Sequence, residues 1–130
     1  METDAGAARS KVTVLLDEQL LGLKDGLRDA GLKVITLDQG MPDDKIIELA
    51  EGWAILTKNS KRFLEDAVAG DYDVISLEKV RFIDDDKTRK NQTVKKITHA
   101  IRNSGLYTKK GNFHLDVHDD GTFTLTQLTV

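Results

Sequence analysis

Several acidic and polar residues of this chain fall where an apolar run gives way to a helical pattern. Residues 11–18 read Lys-Val-Thr-Val-Leu-Leu-Asp-Glu, so a β-branched, apolar stretch stops abruptly at Asp17 and Glu18. Asp43 and Asp44 follow Pro42, the only proline, and open a second apolar pattern. Thr57, Lys58, Asn59 and Ser60 follow the apolar run 53–56. In an open parallel sheet, ligands bind beyond the carboxyl ends of the strands. Carboxylates that converge there from separate segments can hold Mg²⁺ or Mn²⁺, which favour oxygen ligands. Such ions activate water and neutralise charge in phosphodiester cleavage.

Each acid also has a plainer role. Asp43 or Asp44 can cap the helix that follows. Glu18 can be an exposed acid in a first helical turn, favoured by the helix dipole. Asp17 is harder to dismiss, because an acid at the end of an apolar strand borders the core, where charge must be paired or coordinated. Other chemistries find little support. His114, Asp116 and His118 alternate on one strand, which by default is a solvated hairpin face. No Ser, His and acid arrangement suggests a hydrolytic triad. Gly22, Gly26 and Gly31 lie within or at the end of a helical pattern rather than in a phosphate-binding turn. Aromatics are few and do not alternate with bases, so a stacking platform for single strands is not expected.

The elements that must position these residues alternate. Strands are expected over 11–18, 32–37, 53–57 and 72–77. Between the first two, Leu20, Leu23, Leu27 and Ala30 share a helical face that stops at Gly31. Ile46, Ile47, Leu49 and Ala50 mark a second helix, and Phe63, Leu64 and Val68 a short third one ending at Gly70. Short loops between alternating elements imply right-handed crossovers and a parallel sheet. The pattern then changes. Asp84, Asp85 and Asp86 precede a basic helix with the apolar stripe Val94, Ile97 and Ile101. Phe113, Leu115 and Val117 alternate with polar residues up to Asp120-Gly121, a hairpin signal, and Phe123 and Leu125 alternate with threonines beyond it. The expected fold is α/β in three layers, with a central, mostly parallel sheet of about four strands flanked by helices and a C-terminal antiparallel β-hairpin.

Composition sets the remaining bounds. The chain has 130 residues and no cysteine, which fits one domain without disulfides or thiolate metal sites. Residues 1–10 read as a disordered lead-in without an apolar signal region, and 11–130 as one domain. No run approaches the ~20 apolar residues of a membrane span, so no membrane partner is expected and the expected location is cytoplasmic. The net charge of −3 hides a segregated segment: residues 87–110 hold eight Lys and Arg and no acid. Lys90, Lys95, Lys96 and Arg102 lie in it and can attract a polyanion or an acidic protein; the plainer reading is a solvated helix face.

Taken in order, Val14-Leu-Leu-Asp-Glu18, Asp43-Asp-Lys-Ile-Ile47, Ala50, and Ile55-Leu-Thr-Lys-Asn-Ser-Lys-Arg-Phe63 resemble the PIN-like domain family. That family includes metal-dependent ribonuclease toxins of toxin–antitoxin pairs, and the resemblance runs over residues 11–128. It implies an endoribonuclease using Mg²⁺ or Mn²⁺, with RNA as substrate and a cognate antitoxin as partner. By matching motif, Asp17 and Asp43 correspond to metal-binding acids, with Glu18 beside them. Thr57 and Asn59 correspond to the polar pair after the third strand. Apart from the family pattern, Arg62 with Lys58 and Lys61 could bind phosphate directly. One residue departs from the pattern: the family places an aspartate before the phenylalanine matching Phe63, and here Arg62 stands there. A guanidinium has no acceptor and cannot ligate a cation. The alternative is therefore a PIN-like scaffold that has lost catalysis and binds a protein or nucleic acid without turnover. A homodimer fits either reading, although no exposed apolar stripe marks an interface.

Overall fold

The apolar runs become the central strands of one sheet. A computed structural model describes residues 13–36, 42, 45, 54–81, 85–108 and 112–128, without the side chains of Glu18 and Tyr107. The sheet order is β2-β1-β3-β4-β5-β6. β1 is Thr13–Leu16, β2 Lys33–Thr36, β3 Ala54–Thr57 and β4 Asp73–Lys79, with β5 at Asn112–His118 and β6 at Phe123–Leu128. The first five are parallel where they pair, and β6 returns antiparallel to β5. The sheet thus has six strands rather than about four. The hairpin is no appendage, because its first strand joins β4 in parallel. A helical crossover between β4 and β5 brings the chain back in the same direction, as parallel pairing requires.

β1 and β3 are buried on both faces, which explains their unbroken apolar character. One face carries Val14, Leu16, Leu56, Ile75, Leu77 and Leu115 against Leu20, Leu23, Leu27, Ile97 and Ile101. The opposite face carries Leu15, Ile55 and Val74 against Phe63, Ala67 and Tyr72. Three layers result, as expected. The first covering segment is a 3₁₀ stretch, Glu18–Leu23, running into helix α1, Lys24–Asp29, rather than one continuous α-helix. The expected helix over Phe63 to Gly70 is two single turns, α2 (Lys61–Leu64) and α3 (Ala67–Gly70). Tyr72 ties them to the sheet by donating from its hydroxyl to the Phe63 carbonyl at 2.7 Å. Of the second expected helix, Lys45 is helical and the remainder lies outside the described residues.

The basic segment forms α4, Lys87–Ser104, capped by the Asp86 carboxylate, which accepts from Arg89 N–H at 3.2 Å. Its buried face is Thr93, Val94, Ile97, Ala100, Ile101 and Ser104, so the expected stripe is right. At Gly26, a Cβ would sit 3.0 Å from Val94 Cγ2; the missing side chain lets α1 approach α4. The hairpin turns through 119–121, with Gly121 at φ 90, a conformation that suits glycine. Among the described residues no helix is long and apolar enough to cross a membrane.

Candidate functional site at the carboxyl edge of the sheet

Asp17 follows β1 directly, and its backbone N–H donates to the Leu56 carbonyl of β3 at 3.1 Å. That bond extends the β1–β3 ladder by one residue and brings Asp17 beside Thr57. The Thr57 hydroxyl donates to Asp17 Oδ2 at 2.8 Å, and Thr57 Oγ1 accepts from Asn59 N–H at 2.9 Å. Asp17 is 3% exposed and Thr57 fully buried. A buried carboxylate normally faces a cation or several donors. Among the described residues, Thr57 is the one side chain that donates to Asp17, and no Lys or Arg pairs with it.

The other expected residues stand as follows. Asn59 joins through its backbone, with an exposed side chain. Lys58 and Arg62 are half-buried and Lys61 is exposed. The Arg62 guanidinium lies over the Phe63 ring, 5.1 Å from its centroid. Asp66, the residue one turn beyond, is exposed. Asp43 and Asp44 lie outside the described residues, as does the Glu18 side chain. Among the described residues no three His, Asp or Glu side chains gather as a metal cluster.

α4 packs on the sheet face opposite Phe63 and Ala67. Because β4 and β5 are parallel, α4 runs antiparallel to them, and its first turn stands at the carboxyl edge. Lys90 is therefore near that edge, while Arg102 lies ~18 Å further along the helix axis. Lys95 and Arg102 are exposed, and Lys96 reaches Asp119 in the hairpin turn at 3.8 Å. The bases of α4 thus form a column along the helix rather than a ring around Asp17.

Glu78 was missed from the sequence because β4 was expected to stop at Leu77. The strand runs on to Lys79, with a register irregularity between Ser76 and Lys79. Glu78 Oε1 accepts from Ser60 N–H at 2.6 Å and also from the Ser60 hydroxyl. The Ser60 hydroxyl bond holds the Glu78 carboxyl below the usual carboxylate range. The rule that pointed to Asp17, polar residues at the carboxyl end of a parallel strand, applies equally to Glu78. His114 and Asp116 flank it on β5. Lys79 Nζ pairs with Asp116 at 2.7 Å, and burial holds the His114 imidazole below its ordinary value. His114 Nε2 is buried without a partner among the described residues, so this strand face is not uniformly solvated as expected. His118 meets the Thr124 hydroxyl at 3.0 Å.

This edge combines one buried acid fixed by a hydroxyl, a second carboxylate anchoring the α2 turn, and bases on two flanking segments. Compared with family models, curated proteins and solved structures, the chain matches none.

Proposed function

We propose that this chain is a metal-dependent ribonuclease of PIN-like type, with Asp17 as its principal metal-holding acid and the toxin role of such enzymes as its biological setting. The observation that carries this reading is the Asp17 carboxylate, 3% exposed and met, among the described residues, by one neutral side-chain donor at 2.8 Å. Burying such a group costs several kcal/mol unless a counter-charge offsets it. A divalent cation is a counter-charge well matched to an oriented carboxylate at the end of a parallel strand. Asp17 fits the ion's oxygen preference; Asp43 and Glu18 are the further acids the resemblance assigns. Bound there, Mg²⁺ or Mn²⁺ would activate water and neutralise phosphodiester charge.

The chain's own residues have distinct tasks in this reading. Thr57 holds Asp17 in one rotamer, and Asn59 N–H holds Thr57 in turn. Lys58, Lys61 and Arg62 supply positive charge beside the edge for the RNA phosphates, and the first turn of α4 extends it. Arg62 serves this role as a fixed cation, since it has no acceptor for a metal.

That same residue favours the second reading, a scaffold that binds an acidic protein or RNA without turnover. A ribonuclease assay of the purified protein with Mn²⁺ or Mg²⁺, beside Asp17→Asn and an EDTA control, separates the two. Cleavage that needs metal and is lost in Asp17→Asn is the expected result. Cleavage equal in the wild type and Asp17→Asn, or none in either, overturns the nuclease reading.

A further inference from the structure

The two edges of the sheet differ in how they are protected. β2 is four residues long and begins with the exposed Lys33, features that discourage pairing with another chain. β6 has six residues, Phe-Thr-Leu-Thr-Gln-Leu, with no charge, no proline and no bulge in its pairing with β5. Among the described residues no segment pairs with its outer side. His118 N–H donates to the Thr122 carbonyl, so Thr122 faces β5. Alternation along an antiparallel ladder then turns Thr124 and Thr126 toward β5 as well, and leaves the backbone groups of Phe123, Leu125 and Gln127 pointing outward.

We propose that β6 is a self-association edge, pairing antiparallel with β6 of a second copy to make one continuous sheet. A second copy fits because the strand is self-complementary. A two-fold axis at Leu125 pairs all of residues 122–128, sets Leu125 against its own copy, and bonds the outward groups of Phe123 to those of Gln127. Thr124 then faces Thr126 of the other copy, a favourable cross-strand pair, and no like charges meet. Phe123 and Leu125 pack only partly against the core at the open edge, and the second strand covers their outer flank. One strand pairing buries less than the ~1,200 Å² of standard interfaces, so the dimer is weak and concentration-dependent.

Sedimentation equilibrium from low to several hundred micromolar tests this. The expected result is a mass rising from 14.5 kDa toward twice that value. Thr124 and Thr126 are both exposed, and the contact of the Thr124 hydroxyl with His118 is lost equally in both variants below, so the two differ only in charge; far-UV circular dichroism checks the fold. Thr124→Lys with Thr126→Lys sets lysines opposite each other twice and weakens association about tenfold or more. Thr124→Lys with Thr126→Glu makes both pairs attractive and restores association. A monomer at every concentration overturns the proposal. So does a dimer indifferent to both variants, or one that the Lys/Glu variant fails to restore.

Discussion

Replacing Asp17 by Asn separates a working acid from a structural one by the sign of its effect on stability. The side chain is 3% exposed, and its one described side-chain bond comes from the Thr57 hydroxyl at 2.8 Å. An Asn oxygen can accept that same bond, so the variant loses only the charge assistance, about 1 kcal/mol. Against this, the substitution removes a buried charge that no described cation offsets, relieving a penalty of several kcal/mol. The balance predicts an apo variant more stable than the wild type by about 2 kcal/mol. For a chain of this size that is about 8 °C in Tm. The assay is thermal and urea unfolding at neutral pH in EDTA, repeated with Mn²⁺. Wild type should gain about 2.7 kcal/mol at a hundredfold excess of Mn²⁺ over its Kd, and Asp17→Asn nothing. A variant less stable than wild type in EDTA would refute the reasoning, since Asp17 would then be a structural hydrogen-bond partner. An equal gain from Mn²⁺ in both proteins would place any metal elsewhere.

The hydroxyl of Thr57 has two bonds to lose. Thr57→Val leaves Asp17 without its donor and Asn59 N–H without its acceptor, costing about 2–4 kcal/mol. Thr57→Ser keeps both bonds and costs about 1 kcal/mol for the lost methyl; equal urea midpoints for the two variants would show that the hydroxyl contributes nothing. Acid should weaken the fold in two stages. The His114 imidazole is held low by burial, so the unfolded chain takes up its proton first and stability declines as pH falls below ~6.5. The Glu78 carboxyl is held low by its Ser60 bond, so its contribution is complete above ~4.3 and is lost as pH falls through its lowered value. Urea midpoints across pH should show the upper decline vanish in His114→Gln and the lower one shrink in Glu78→Gln. Unchanged slopes in those variants would assign the acid sensitivity to other groups.

Much of this protein follows from local pattern. The unbroken apolar runs around Val14 and Ile55 require strands covered on both faces, and their alternation with helical stripes requires a parallel sheet. The stripe of Val94, Ile97 and Ile101 fixes which side of α4 is buried, because a 3.6-residue period leaves no other face apolar. Asp17 was legible because an acid at the end of such a run has few places to go. Relations across the chain were not legible. That Thr57 bonds Asp17, forty positions away, depends on β1 and β3 being neighbours in register. Glu78 joins Ser60 because β4 outlasts its apolar pattern, and where a strand stops is set by its partner's ladder as much as by its own residues. The hairpin signal marked β5 and β6 but gave no account of what β5 would pair with. The sheet therefore became six strands, and its open edge fell on the uncharged β6. Local propensity writes the elements; which elements become neighbours, and so which side chains meet, is decided only when the sheet closes its ladders and buries both faces.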